Sequence, residues 1–261
     1  MLSVYEHPLS PYVQKVKIAL DEKSVAYETK RPAGIGTGAV DKAFLAANPR
    51  AEVPALIDGD FALFDSTIIL EYIEEKWPDP PLLPRDPAAR ARARMIEDVM
   101  DTHYEPINWG LSELRNFKRA QGAPAVKIEA RAAGQAKGLQ AWLGRELGDR
   151  EWFGGERFGW ADLSVVPYLN GSAGFGFGPA PGTALGRWLA RANARASVAK
   201  ASGAARAAAG EMALVADAVK NRLFKREYRD HRLEWMIRSG GLEIVREGFE
   251  SGTIRFSNEL S

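Results

Sequence analysis

Five prolines fall within eleven residues, 77 to 87, in the run WPDPPLLPRDP. Proline fixes φ and has no N–H to donate, so neither a helix interior nor a central strand can pass through such a run. The run is therefore a connector, and it divides the chain into parts of different character. Upstream, short β-compatible runs alternate with helical ones; downstream, almost everything carries helical periodicity. The division predicts a mixed α/β domain over 1–77, a linker over 78–87, an all-helical domain over 88–210 and a helical extension over 211–261.

Composition narrows the function. Of 261 residues, 46% are hydrophobic and 26% charged, the balance of an ordinary soluble globular protein. The formal net charge of +1 gives no field to attract a polyanion, so no nucleic-acid partner is expected. With no cysteine, the chain can form neither disulfides nor thiolate metal sites and has no catalytic thiol, so any sulfur chemistry must come from a ligand. His7, His103 and His231 are scattered without ligand spacing, and no metal is assigned. No stretch approaches the ~18 apolar residues of a membrane span, and the start does not read as a basic segment followed by an apolar run. The expected address is the cytoplasm, with no membrane partner.

In the first part, Leu2 to Tyr5 reads as a strand that stops at His7-Pro8. Ser10-Pro11 is a helix start, a favoured N-cap before a favoured first residue. Val13, Val16, Ala19 and Leu20 then fall on one helical face, with Gln14, Lys15, Lys17 and Asp21 opposite. Ala26 to Thr29 reads as a second strand, and AGIGTGA at 33–39 as a flexible loop without the spacing of a phosphate cradle. Val53 to Ile57 reads as a strand despite Pro54, which belongs only at an edge, a bulge or a ligand-facing position. Asp58 to Asp60 is a hairpin signal, FALF a further strand, and Asp65-Ser66 the start of a helix carrying Ile68, Ile69, Tyr72 and Ile73. The order is βαβ, then ββα.

Helical periodicity covers 88–118, 125–147, 160–170 and 183–195, and 196–210 is Ala-rich and of low complexity. In the extension, Met212, Val215, Val219 and Leu223 have helical spacing ahead of FKREYRDHR. Seven basic and three acidic residues between Lys220 and Arg238 read as a solvated helix face. The apolar half is expected to cover a substrate cleft or a partner subunit.

The βαβ-ββα unit with EVPAL, DS opening a helix, the Pro-rich linker, the all-α part and FGWADLSVVPYL together resemble the glutathione transferase superfamily over about residues 1–200. Within it, LSPYVQKVKIALDEKSVAYE is similar to the serine-type plant tau pattern, to bacterial β-etherases and to fungal wood-decay transferases. The resemblance implies an α/β thioredoxin-like N-terminal domain followed by an all-α helical-bundle C-terminal domain. It implies glutathione as co-substrate on the first domain, a small hydrophobic or aromatic electrophile between the two, and a homodimer. The position of Ser10 is serine or cysteine in those groups, and serine argues against thiol-transfer chemistry. Two departures stand out. Gly159 replaces a Ser or Thr cap three residues before Asp162, and Glu52 replaces the carboxylate-binding lysine before VP, which leaves Lys42 as the candidate for the glycine end of glutathione.

The chemistry assigns roles to these positions. A thiol of pKa about 8.5 is only a few per cent thiolate at neutral pH, and lowering it two units requires about 2.7 kcal/mol. A hydrogen bond to the charged sulfur contributes roughly 1.5–3 kcal/mol and a helix N-terminus about 0.3–1, so Ser10 can supply both. Alone, Ser10-Pro11 would equally serve as a plain helix cap. The cis proline that the resemblance implies at Val53-Pro54 would offer the Val53 main chain to an extended peptide. Ser66 with the helix N-terminus suits the γ-glutamyl carboxylate and Asp65 its ammonium. Asp162 is expected to bond the backbone at its own helix start. Leu9, Tyr12, Tyr104, Trp109 and Phe117, with the loop 168–182, are the candidate electrophile walls and suggest a flat aromatic substrate. The expected activity is transfer of glutathione to such an electrophile, including β-aryl ether cleavage by thiol displacement. Glutathione-dependent peroxidase activity and a silent ligand-binding or scaffold module are the alternatives.

Overall fold

The computed structural model describes residues 1–256; the last five residues of the expected extension lie outside them. The chain opens β1 (Leu2–Tyr5), α1 (Pro11–Glu22), β2 (Glu28–Lys30), α2 (Lys42–Ala47), β3 (Ala55–Asp58), β4 (Phe61–Phe64) and α3 (Ser66–Lys76). The four strands form one sheet in the order β2-β1-β3-β4. β1 runs parallel to β2 and antiparallel to β3, with Tyr5 opposite Ala55, and β3 pairs antiparallel with β4, Ala55 opposite Phe64. Side chains alternate across the sheet: Leu2, Val4 and Leu56 face the helical core with Val16 and Ile69, while Tyr5 and Ala55 pack with Phe44 of α2 on the other side. This is the expected thioredoxin-like arrangement. β3 begins two residues later than the sequence suggests because Pro54 has no N–H for the ladder.

The helical part comprises α4 (Pro87–Val99), α5 (Glu105–Arg115), α6 (Gly122–Leu147), α7 (Trp160–Gly174), α8 (Ala184–Asn193) and α9 (Ala196–Ala208). The single helix expected over 88–118 is interrupted by a π-helical turn, Met100–Tyr104. Pro106 has no N–H to return to the carbonyl of Thr102, and the Glu105 N–H reaches back five residues to Met100. That shift frees the Asp101 carbonyl, which accepts the Tyr12 hydroxyl at 3.1 Å. α7 is buried on nearly every side, as a helix with no continuous polar face must be. Its Asp162 accepts from Gly159 N–H (3.0 Å), Phe153 N–H (3.1 Å) and the Trp188 indole (2.7 Å), while burial pushes its carboxyl up to about 6. The Ala-rich segment is the regular helix α9, whose small side chains let it lie against α1, with Arg195 forked onto Glu22 and Lys200 on Asp21.

The polar face expected on α1 is not solvated: Gln14, Lys15 and Lys17 are all buried. Lys15, 0% exposed, donates to Glu97 Oε1 and Asp101 Oδ2, each at 2.5 Å. Glu97 also receives Thr67 Oγ1 at 2.9 Å and the Trp160 indole, and Asp101 Oδ1 receives the Tyr168 hydroxyl at 2.7 Å. One cluster thus joins α1, α3, α4, the π turn and α7.

The extension is richer than one amphipathic helix. α10 (Met212–Lys220) is followed by β5 (Arg226–Glu227), α11 (Asp230–Arg238), α12 (Leu242–Glu250) and β6 (Ile254–Arg255), with β5 parallel to β6. Val219 is buried as expected, but Leu223 lies beyond the helix and is 67% exposed. Two buried acids of α5 hold the extension. Glu113 accepts from Arg226 Nε at 2.6 Å and the Tyr228 hydroxyl at 3.0 Å. Glu105 takes Arg232 Nη2 at 2.6 Å and lies 3.1 Å from His231 Nε2. Between them Trp235 lies against Gly110, where any Cβ would meet its ring at 2.0 Å. The basic run is therefore divided: Arg226, Arg229 and Arg232 turn inward onto buried or half-buried acids, while Lys220, Arg222, Lys225 and Arg238 are exposed as expected.

Two measurements check these energetics. Lys15→Ala leaves two buried carboxylates without their cation and is expected to cost about 3–5 kcal/mol in urea unfolding at neutral pH; a loss under about 1 kcal/mol would show the cluster to be dispensable. Burial favours the neutral form of Glu105, but Arg232 and His231 outweigh it and hold the carboxyl down at about 2. Because this pKa lies below the unfolded value near 4.3, its stabilising share, about 3 kcal/mol, is complete above that pH and fades as pH falls toward 2. Glu105→Gln should flatten the acid limb of stability over that window, as followed by near-UV circular dichroism.

Candidate functional site

A cleft of about 300 Å³ opens where three parts of the chain meet. The sheet domain contributes Val53, Pro54, Asp65 and Ser66; the helical part contributes Glu97, Asp101 and Thr102; the extension contributes Arg229 and His231. The volume is at the lower end of the range for small-molecule sites.

Local sequence explains how each wall is held. The Val53-Pro54 bond is cis, and Val53 precedes the β3 ladder. Buried Asn48 donates to the Glu52 carbonyl at 2.6 Å and fixes the chain just before it. Asp65 has φ +76°, a left-handed conformation that costs a non-glycine residue free energy and marks ligand sites in many folds. Its Oδ1 accepts from Thr67 N–H at 3.0 Å and Ile68 N–H at 3.4 Å, so it caps α3. The same kink turns the α3 N-terminus and Ser66, 5% exposed, into the cleft. The arrangement can take an extended chain bearing a carboxylate.

Ser10 is the N-cap of α1 and accepts from Val13 N–H at 3.4 Å. It is half-buried, and its hydroxyl proton has no acceptor among the described residues. The cleft lining itself begins at Tyr12, two residues on. Burial, then the Glu105 charge, push the Tyr12 phenol well above its ordinary pKa, and its proton is committed to the Asp101 carbonyl. Tyr12 is therefore a neutral wall.

The remaining expected residues are placed differently. Lys42 is exposed at the start of α2, outside the cleft lining. Leu9 is half-buried beside His7, whose Nδ1 accepts its N–H at 3.3 Å, and does not line the cleft either. Tyr104 is core, its hydroxyl donating to Ser172 Oγ and accepting from Gln140. Trp109 stacks edge-on against Tyr228 with centroids 4.6 Å apart, and the guanidinium of Arg226 lies 3.9 Å from the centre of the Phe117 ring. The extension thus covers two of the expected aromatic walls. In the expected 168–182 loop, α7 continues to Gly174, and buried Tyr168 faces Asp101.

Sequence reasoning missed Asn48, Arg50, Glu97, Asp101, Thr102, Arg229 and His231 as lining residues. The only signal for Arg229 and His231 was the basic run, whose charge fits a solvated surface equally well. Among the described residues no group of three or more His, Cys, Asp or Glu side chains gathers to hold a metal.

Comparison with known proteins points the same way. The model of the glutathione S-transferase N-terminal domain matches residues 4–81. Glutathione S-transferase U28 of Arabidopsis thaliana is 34% identical over 163 residues, 62% of this chain and 68% of that one. A stringent starvation protein A homologue of Haemophilus ducreyi is 29% identical over 169 residues, 65% of this chain and 73% of that one. Among solved structures, a rice glutathione S-transferase in complex with glutathione aligns with a TM-score of 0.66 at 26% identity, covering 83% of this chain and 96% of that one.

Proposed function

The chain belongs to the glutathione S-transferase family, and from that premise we propose that it binds glutathione along Val53-Pro54 and uses Ser10 to hold the sulfur as thiolate for transfer to an electrophile. One observation carries the reading: the left-handed turn at Asp65 presents Ser66 and the α3 N-terminus to the same cleft that Val53 and Pro54 line. The γ-glutamyl carboxylate fits the Ser66 hydroxyl and the α3 N-terminal N–H groups. Asp65 caps α3 through Oδ1, which leaves Oδ2 for the ammonium. With the cysteinyl main chain against Val53, the sulfur points toward the first turn of α1, where Ser10 donates to it. The thiolate attacks the electrophilic atom, the new bond to sulfur forms, and the leaving group departs with its electron pair.

Most residues that line the cleft carry polar or charged side chains. Of the expected electrophile walls only Tyr12 lines it, so we propose a compact acceptor in place of a large flat one. β-Aryl ether cleavage finds little support in this geometry, whereas a hydroperoxide is compact enough for the peroxidase alternative. A second reading, a module that binds glutathione without turnover, is favoured by the extension's cover over Trp109 and Phe117. A cytoplasmic homodimer is part of the proposal: Phe61, Ile68 and Met95, on β4, α3 and α4, are exposed apolar side chains that a second copy would cover.

Two variants test the assignment. Ser66→Ala should weaken glutathione binding by about 1–3 kcal/mol, the cost of leaving charged groups unpaired, without moving the pKa of the bound thiol; an unchanged affinity sinks the γ-glutamyl site. For Ser10→Ala, the thiolate absorbance of bound glutathione should titrate one to two units higher than in the wild type. Turnover with a chloronitrobenzene or cumene hydroperoxide should fall at neutral pH and partly recover in alkali. If wild type binds glutathione yet turns over neither substrate, the silent module is the better description.

A further inference from the structure

The glutathione reading places the γ-glutamyl group at Ser66 and the cysteinyl main chain at Val53. The tripeptide then runs on past Val53, away from Ser66, and its glycine carboxylate arrives beside Glu52. Two like charges there repel unless a cation stands between them. Lys42 is exposed and outside the lining. Arg50 pairs with Glu52 at 2.8 Å but leans over the Phe64 ring, 5.9 Å from its centre, toward the β4 side. Arg229 lies 3.8 Å from Glu52 on the other side, its guanidinium 5.9 Å from the centre of the Tyr12 ring, between Glu52 and the start of α1. Its side chain is only 26% exposed.

We propose that Arg229, carried by the C-terminal extension, clamps the glycine carboxylate of glutathione, so that the binding site is incomplete without the extension. An arginine fork can receive both carboxylate oxygens at once. Its backbone is already fixed: Lys225 N–H donates to the Gly36 carbonyl at 2.7 Å, Tyr228 N–H to the Arg255 carbonyl at 2.9 Å, and Arg232 is tied to Glu105. A side chain on a backbone already fixed in this way has less freedom to lose on binding. Burial works against its charge, but Glu52 and Tyr12 favour it, and Arg229 stays protonated.

Calorimetric titration of the full chain with glutathione and with its glycine amide, which keeps the tripeptide but lacks the terminal carboxylate, tests the assignment. Wild type should prefer glutathione by about tenfold or more. Arg229→Ala should bring glutathione down to the affinity of the amide and leave the latter unchanged, and Arg229→Lys should keep part of the gap. The assignment is overturned if the gap survives in Arg229→Ala, if Lys42→Ala or Arg50→Ala alone closes it, or if Arg229→Ala loses both ligands together. Equal wild-type affinities also overturn it, because no site for the glycine carboxylate then exists. A wild type that binds neither ligand instead refutes the glutathione reading on which the inference rests.

Discussion

Two acids on the helical side of the cleft, Glu97 and Asp101, are held by one buried ammonium. Lys15 reaches from the first helix of the sheet domain into the helical part and neutralises Glu97 and Asp101, neither of which could be buried as a lone charge. A desolvated carboxylate demands donors, and Thr67, Trp160 and Tyr168 supply them. The demand is directional, whereas apolar contact between two domains would tolerate sliding. Thr67 is the neighbour of Ser66, and Asp101 holds Tyr12, so the same network fixes both the α3 side of the cleft and its Tyr12 wall.

This helps explain how much of the protein was legible in the sequence. The sheet domain could be read because its determinants are local: period-2 alternation in β1, the DGD hairpin, the Asp65-Ser66 cap. Ser10, Val53-Pro54 and Ser66 stand out because backbone punctuation, a proline or a cap, marks them in the sequence, and Val53, Pro54 and Ser66 line the cleft. Lys15 could not be read correctly, since a lysine on the polar side of an amphipathic helix is normally solvated. Its burial depends on two acids more than eighty positions away. The same holds for Trp109 and Phe117, which look like pocket walls until Tyr228 and Arg226 are seen to cover them. Pairing between distant segments leaves no periodic trace.

The extension supplies charged and polar side chains to the cleft. Trp109 of α5 and Phe117 just after it are covered by Tyr228 and Arg226, and the extension's own contribution to the cleft wall is Arg229, Asp230 and His231. The glycine-rich loop of the sheet domain takes part as well. A Cβ at Gly36, φ +77°, would come within 2.7 Å of the Phe224 ring, and its carbonyl receives Lys225. A segment that reads as mere flexibility is a docking seat whose lack of side chain admits an aromatic ring.

The π turn at Met100–Tyr104 sets the rotational phase of α5. An α-helix advances about 100° per residue, so the extra residue turns α5 by about that angle relative to a continuation of α4. Glu105, Trp109, Gly110 and Glu113 therefore look toward the extension, while Glu97 looks toward Lys15. A regular helix of the same sequence could not present both acid sets to their cations. A one-residue deletion between 100 and 104 would turn the five-residue return from Glu105 to Met100 into a regular four-residue one, keeping Glu105 and Glu113 in phase with the extension but removing the freed carbonyl that receives Tyr12.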